Sequence, residues 1–293
     1  MPVSANLARH LLPAAALLLG ACESNLAVDL SVSLPSQLAS AKIAVKSIEL
    51  LDDDGGVTSI DVDNSDMIDL ADYPPDAPLR LFDASGELSG HFIGIRLRFD
   101  DSDAYVLADD GETAPIALLS AGEYADIDVQ IDEGSYALIG VQLDLPFSLI
   151  DQRDSLANYQ MIPVSHAADG DSAASIEGTI AADAVTASTC RDGRAAGEGV
   201  AVYLFSGSDV TPADYYSSGS VGSQDPPVGY AGVSRDSATG EWRYLFAPLA
   251  PGDYTLAWTC AADGDSPVLD DDLEFVASQN ITVEALAAAT AGF

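Results

Sequence analysis

Basic residues are scarce in this chain. Lysine and arginine together number 11 against 47 aspartates and glutamates, which gives a formal net charge of −36, and the only lysines are Lys42 and Lys46. Nucleic-acid binding depends on basic patches that replace the counterions of the phosphate backbone. The composition therefore predicts that the protein does not bind DNA or RNA. The excess of acid indicates a solvated acidic surface, a surface for divalent cations, or both.

Residues and motifs that commonly carry catalysis are scarce as well. The three histidines, His10, His91 and His166, stand far apart in the sequence, so a histidine-based transition-metal site is not expected. The chain contains no Gly-x-Ser-x-Gly, His-Glu-x-x-His or phosphate-loop motif. We therefore expect a protein that is not an enzyme and that holds no cofactor other than covalent lipid. A hydrolase without a recognisable motif is the enzymatic alternative.

The apolar run near the start of the chain is too short to span a bilayer, which takes about 20 residues. This run, Leu11–Leu19, is interrupted only by Pro13 and follows Arg9. Its length and its basic flank are typical of the apolar region of a secretory signal peptide. The start of the chain thus predicts export from the cytoplasm.

The four residues Leu19-Gly20-Ala21-Cys22 close this run. They resemble the bacterial lipobox, in which two small residues stand directly before a cysteine. The resemblance implies a cleaved signal peptide over residues 1–21, acyl chains on Cys22 and a short tether over residues 22–25. Glu23, rather than an aspartate, follows the cysteine, and this implies sorting to the outer membrane. An ordinary signal peptide with a chance cysteine is the alternative.

Cysteine is the third scarce residue, with three in the chain. Once Cys22 is assigned to the anchor, Cys190 and Cys260 remain, and an exported protein is in a compartment that permits disulfides. We expect these two cysteines to pair; a free thiol pair is the alternative. A bond that closes a loop of this length should stabilise the fold by roughly 4 kcal/mol in the chain-entropy model.

Apolar residues recur with a period of two along most of the chain, which is typical of strands with one buried and one solvated face. Leu26–Leu34 and Ile93–Phe99 are clear examples. A small, polar stretch at 166–172 indicates a boundary between domains. The prediction is an all-β chain with two antiparallel β-sandwich domains in tandem, at 26–168 and 174–293.

Several segments of the first predicted domain follow a common family pattern: VDLSVSLPSQLASAKIAVKSIELL at 28–51, SGHFIGIRLRF at 89–99, YVLADDG at 105–111, VQLDLPFSLID at 141–151 and NYQMIPV at 158–164. On these segments the domain resembles the bacterial lipoprotein family called domain of unknown function 4382. That family usually has Asp-Phe-Asp where this chain has Leu143-Asp144, so only Asp144 is carried over. The resemblance implies an envelope lipoprotein and brings no activity.

The second predicted domain carries GEWRYLF at 240–246 and APGDYTL at 250–256. These segments resemble the carboxypeptidase-regulatory or Cna-B-type, transthyretin-like β-sandwich. The resemblance implies a spacer or a carbohydrate-binding-like module rather than a catalytic domain. Some Cna-B modules carry a Lys–Asn isopeptide crosslink, and the absence of lysine beyond Lys46 excludes that bond here.

The long segment Ser206–Gly229 is a candidate ligand loop, because long loops on rigid sandwiches often carry binding sites. It contains Tyr215 and Tyr216, whose rings could stack on a sugar. The simpler interpretation is a solvated insertion with no ligand.

Asp61, Asp63 and Asp69 belong to a string of oxygen-bearing residues that partly resembles a calcium loop. The string lacks the glycine at its sixth position and the glutamate at its twelfth that an EF-hand requires, so no metal site is expected there beyond a weak calcium candidate. The run Asp270–Asp272 could bind calcium together with other loops. Acidic turns that need no metal are the simpler interpretation of both.

These observations predict a lipid-anchored envelope protein with a non-catalytic binding or scaffolding role at the bacterial outer membrane. Its expected partners are the membrane, through the lipid on Cys22, and an envelope protein or glycan. The alternative is a surface module that binds carbohydrate or Ca²⁺.

Overall fold

A computed structural model of the chain describes residues 23–62, 66–86, 88–152, 158–216 and 226–293. Cys22 and the predicted signal peptide lie outside these ranges. None of the helices within them has the length and apolarity needed to cross a bilayer.

The described residues up to Asp169 form strands β1 to β12, one helix and one 3-10 turn. Their bounds are β1 Ser24–Ser33, β2 Leu38–Asp52, β3 Val57–Asp61, β4 Ile68–Asp69, the 3-10 turn Leu70–Asp72, β5 Leu79–Gly86, β6 Gly90–Ala108, β7 Thr113–Leu118, β8 Ala125–Ile131, β9 Tyr136–Asp144, α1 Leu145–Ser148, β10 Leu149–Asp151, β11 Tyr159–Met161 and β12 Ser165–Asp169.

Two sheets enclose the core of this first half. One has the order β12-β9-β1-β5, and the other follows β10-β11-β7-β6-β2-β3, with β4 added to β2 and β8 added to β6. The sequence predicts that every second side chain from Ile93 onward is buried, but Ile93 itself is not. A register shift between Phe92 and Gly94 leaves Phe92 and Ile95 in the core, while Ile93 is 38% exposed. An extra residue in one strand turns the next side chain to the other face.

From Ala174 onward the chain forms strands β13 to β20, two short helices and a second 3-10 turn. Their bounds are β13 Ala174–Ile180, α2 Ala182–Thr186, α3 Ser188–Arg191, β14 Ala201–Ser206, β15 Gly229–Gly232, β16 Ser234–Arg235, β17 Trp242–Leu249, β18 Gly252–Thr259, the 3-10 turn Ala262–Gly264, β19 Phe275–Val283 and β20 Ala288–Gly292.

This second half is also built from two sheets, with the orders β16-β17-β13-β20 and β15-β14-β18-β19. Strand accounts for 56% of the structure and helix for 8%, so the prediction of an all-β, sandwich-type chain is confirmed. The pairing is not purely antiparallel, because β1 with β9, β7 with β11 and β13 with β20 are parallel. In each half, the first strand pairs in parallel with a strand that is distant in sequence: β1 with β9, and β13 with β20.

The two halves have separate cores of different composition. The first core is mainly aliphatic, whereas the second includes Trp242, Tyr244, Phe246 and Trp258. The second half also contains the predicted disulfide, which is confirmed: Cys190 on α3 bonds to Cys260 just after β18.

Candidate functional site

Of the predicted ligand-loop tyrosines, Tyr215 and Tyr216 both lie among the described residues and are half-buried. The ring of Tyr215 stacks on Phe147 of the first half, with ring centroids 4.4 Å apart and planes inclined by 13°. One face of Tyr215 is therefore covered by the protein itself and is not open to a sugar. The middle of the predicted loop, residues 217–225, lies outside the described ranges.

The three weak calcium candidates are not brought together by the fold. Asp61 pairs with Ser47 on β2, whereas Asp69 pairs with Lys42 on the same strand, which places them about 16 Å apart at ~3.3 Å per residue. Asp69 accepts hydrogen bonds from Ser40 Oγ and the backbone N–H of Ala71, so it caps the 3-10 turn. Asp63 lies outside the described residues. A single ion cannot bridge that separation.

A polar network instead joins the two halves of the molecule at Asp144, the residue at the end of β9. The Asp144 side chain has no solvent exposure. Its carboxylate lies 2.9 Å from His166 Nδ1 and accepts a hydrogen bond of 2.9 Å from Gln142 Nε2. The backbone N–H of Tyr230, in β15 of the second half, donates to the same carboxylate over 3.4 Å. A buried carboxylate is tolerated only when such donors surround it.

The network continues onto β1 through Ser33. Gln142 Nε2 donates to Ser33 Oγ over 2.8 Å, and Ser33 Oγ donates to the carbonyl of Tyr230 over 2.7 Å. Both backbone groups of Tyr230 are therefore bound by side chains of the first half. The register between β1, β9 and β15 is thus held by hydrogen bonds as well as by packing.

Beside this network, Phe147 of α1 inserts into the second half. It is 2% exposed and packs in a cluster with residues of the second half: Ala201, Tyr203, Phe205, Tyr230, Ala257 and Ala262. Its ring contacts Tyr203 and Tyr230 at centroid distances of 5.5 and 5.9 Å. We call Phe147 together with the Asp144 network the junction. The buried ring of Phe147 and the buried carboxylate of Asp144 hold the two halves in contact, although Gln142 Oε1 and His166 Nε2 of the network have no hydrogen-bond partner among the described residues.

Next to the junction, three carboxylates converge. Asp214, Asp265 and Asp271 each place one carboxylate oxygen within 4.8 Å of the other two; we call them the aspartate cluster. Tyr203 O–H donates to Asp265 Oδ2 over 2.7 Å, and the backbone N–H of Tyr215 donates to the same oxygen over 3.3 Å. The other oxygen, Asp265 Oδ1, is buried and has no hydrogen-bond partner among the described residues.

Burial and crowding of like charge change the acidity of this cluster. The pKa of Asp265 is raised from 3.8 to about 6, mainly by burial and in smaller part by the neighbouring carboxylates of Asp214 and Asp271, against the lowering effect of the hydrogen bonds from Tyr203 and Tyr215. Burial also raises the pKa of Asp214. A buried acid facing other acids disfavours the ionised form unless a cation is present. The arrangement can therefore hold a hard divalent cation through oxygen ligands.

The sequence indicated only part of these sites. Asp271 stands in the acidic run that the sequence marked as a weak calcium candidate, but its partners Asp214 and Asp265 gave no signal of their own. The junction was not predicted, although Asp144 was the one residue carried over from the family pattern. An apolar run with a lone aspartate before a Leu-Pro-Phe turn is the signal that could have found it.

Comparisons with known proteins establish no family. No protein-family model matches the chain, and no curated protein matches it. The resemblances inferred from the sequence therefore stay predictions.

Three solved structures illustrate the likenesses found. The TIE protein of Bacillus anthracis is 7% identical, with 93% of this chain and 34% of that one covered and a TM-score of 0.20. A leucine-rich repeat protein of Bacteroides thetaiotaomicron is 13% identical, with 92% and 26% covered and a TM-score of 0.19. The fimbrial anchor protein Mfa2 of Porphyromonas gingivalis is 12% identical, with 84% and 80% covered and a TM-score of 0.19. The chain spans about a third and about a quarter of the first two. TM-scores this low do not establish a shared fold or function.

Proposed function

We propose that this protein is a lipid-anchored, non-catalytic binding or scaffolding protein of the bacterial outer membrane, which holds its second half away from the lipid. The direction of β1 carries this proposal. The strand begins at Ser24, two residues after the predicted lipid attachment at Cys22, and ends at Ser33 in the junction. At ~3.3 Å per residue, these two ends lie about 30 Å apart.

The junction supports this role because it removes freedom between the halves. A flexible link would let the second half fall onto the membrane, whereas Phe147 and the Asp144 network fix its position on the first half. The strong negative charge of the chain also repels an anionic lipid surface. Together these features favour a rigid display of the second half.

Three measurements test the proposal. Labelling with an alkyne analogue of palmitate in a bacterial host should mark the wild-type protein and not the Cys22→Ala variant. Neutron reflectometry of the lipidated protein on a supported bilayer should then show protein density beyond about 30 Å from the headgroups, the length of a strand such as β1. Absence of label, or a second half lying against the bilayer, would contradict anchoring or display respectively. Turnover of an envelope glycan or peptide that is lost in an Asp265→Asn variant would contradict a non-catalytic role.

A second candidate function is Ca²⁺ binding, and the aspartate cluster favours it. Ca²⁺ binds oxygens at about 2.3–2.6 Å, so ligand atoms on opposite sides of one ion stand roughly 5 Å apart. The spacing of the three carboxylates fits this limit. The unpartnered oxygen Asp265 Oδ1 lacks the hydrogen bond that a buried carboxylate oxygen normally has.

Thermal unfolding with and without CaCl2 tests this candidate. Ca²⁺ should raise the melting temperature of the wild-type protein, since a ligand that binds only the folded state stabilises it. The rise should disappear in Asp265→Asn and persist in Asp126→Asn, a matched change at an exposed position on β8. An equal rise in both variants would assign the effect to the acidic surface as a whole.

A further inference from the structure

A crevice between the two halves, separate from the aspartate cluster, is lined by described residues of both. It encloses about 610 Å³ and is bounded by the turn after β1, by residues 74–76, and by parts of β13, β15, β16 and β17. This volume lies within the range of sites for small ligands and short peptide segments. Because one wall comes from each half, the contacts at the junction bear on the width of the crevice.

The charges on the crevice wall are unbalanced. Among the described residues, it carries the acidic residues Asp76, Glu177 and Asp236 and one basic residue, Arg243. Arg243 Nη1 already lies 3.5 Å from Asp236 Oδ2, and the same Asp236 carboxylate accepts backbone hydrogen bonds from Ala238 and Thr239. In the described part of the chain, the carboxylates of Asp76 and Glu177 have neither a hydrogen bond nor an ion pair. They face the crevice from opposite halves, so a ligand between them must bring positive charge.

The rest of the wall is apolar or offers backbone groups. Pro35 and Pro75 belong to the first half, and Val233 and Leu245 to the second. Strand β16 also borders the crevice, and among the described strands it is the edge of its sheet and pairs with β17. An edge strand leaves backbone N–H and C=O groups free to pair with an added extended chain. A bare metal ion does not fit such apolar walls, because they offer it no ligand atoms.

We propose that this crevice binds a short extended segment of a partner protein that alternates basic and apolar residues. Basic side chains pair with Asp76 and Glu177, apolar side chains contact the proline and aliphatic walls, and the peptide backbone pairs with β16. This inference deepens the proposed function. It rests on that function for one point only, the position of the crevice at the end of β1 that is remote from the lipid. Peptide binding itself requires no anchor.

The test uses the soluble chain from Glu23 to Phe293, which contains all four sheets, so failure of lipidation does not affect it. The probe is a fluorescent, end-blocked pentapeptide of sequence Leu-Lys-Val-Lys-Leu, in which basic and apolar residues alternate, and binding is followed by anisotropy at about 150 mM salt, where long-range attraction is screened. The same peptide with both lysines replaced by glutamate should not bind. Equal binding of the acidic peptide would overturn the proposal.

Two pairs of substitutions separate the crevice from the general acidity of the chain. Asp76→Asn with Glu177→Gln should weaken binding about tenfold through the loss of two charge pairs. Asp126→Asn with Glu133→Gln removes the same charge from exposed positions outside the crevice, and should change binding less than about twofold because those charges are screened. Equal weakening by both pairs, or by neither, would contradict the assignment.

A variant that fills the crevice without changing any charge provides a further test. Gly232 lines the crevice, and a Cβ added there meets Leu34 O at 3.6 Å and Tyr230 Cε1 at 3.8 Å, which are ordinary contacts. Gly232→Leu should therefore fold and fill part of the crevice, and peptide binding should fall at least as far as in the double charge variant. Circular dichroism verifies that the variant is folded. Unchanged binding in folded Gly232→Leu would place the peptide elsewhere and overturn the proposal.

Discussion

The junction and the aspartate cluster lie side by side, and each buries a carboxylate in a different way. At the junction, Asp144 is surrounded by donors from His166, Gln142 and the backbone of Tyr230. In the cluster, one oxygen of Asp265 accepts hydrogen bonds from two donors, the other accepts none from the described residues, and two more carboxylates face it. A carboxylate among donors holds two parts of a fold together, whereas a carboxylate among acids is destabilised until a cation arrives.

Two tyrosines contact both sites, and these contacts link the sites mechanically. Tyr203 donates to Asp265 and packs its ring against Phe147. Tyr215 likewise donates through its backbone to Asp265 and stacks on Phe147. A cation in the cluster would therefore act on the same side chains that clamp the two halves.

The largest expected effect is the loss of Asp144. Asp144→Ala leaves His166, Gln142 and the N–H of Tyr230 without their acceptor and should lower the free energy of unfolding by about 4 to 5 kcal/mol. Urea unfolding measures this, with Asp126→Ala as the exposed control. Both tryptophans, Trp242 and Trp258, lie in the second half, so separate fluorescence and circular-dichroism transitions would report uncoupled halves. A loss below about 1 kcal/mol would mean that the junction is held by packing alone.

The disulfide should have the next largest effect, and it acts directly on the second half, where both of its cysteines lie. Replacing both Cys190 and Cys260 by alanine should lower stability by about 4 kcal/mol, because the bond closes a long loop in the unfolded chain. The tryptophan transition should move to lower urea concentration. Equal movement of an unfolding signal from the first half would show that the halves unfold as one unit.

Phe147→Ala tests how much side-chain packing, as opposed to hydrogen bonding, contributes to the junction. Removing a buried ring that contacts three tyrosines should lower stability by about 3 to 4 kcal/mol. Phe92→Ala, a ring of similar burial wholly within the first core, is the matched comparison. Only the Phe147 change should expose Tyr215 and alter Ca²⁺ binding at the adjacent cluster. Identical effects on Ca²⁺ binding would contradict the link between the two sites.

The smallest effect concerns pH at the aspartate cluster. The folded-state pKa of Asp265 is raised to about 6 from its ordinary value of 3.8, so its ionisation destabilises the folded protein. Without divalent cations, this group should remove up to about 3 kcal/mol of stability as the pH rises from about 4 to above 6. Asp265→Asn should lack that component. Urea unfolding at several pH values in EDTA measures the difference, and parallel curves for the two proteins would contradict the raised pKa.

Much of the secondary structure could be predicted because it depends on local pattern. The alternation over Leu26–Leu34 predicted β1, since one face of that strand packs into a core and the other does not. The alternation from Ile93 was interrupted by a register shift that no local pattern reveals. The parallel partners of β1 and β13 were also missed, because strand order depends on how distant segments meet across a sheet.

By itself, the sequence determined the all-β character through its period of two, the disulfide through the count of cysteines in a chain predicted to be exported, and the strong negative charge. Only the tertiary structure decided which carboxylates are isolated and which converge. Asp144 meets the backbone of Tyr230 from 86 positions away, and Asp214 meets Asp271 from 57 positions away. Such encounters are set by the packing of one sandwich against another and by loops at the end of a sheet. Because many aspartates look alike along the chain, their burial and neighbours distinguish them, and those exist only in the folded protein.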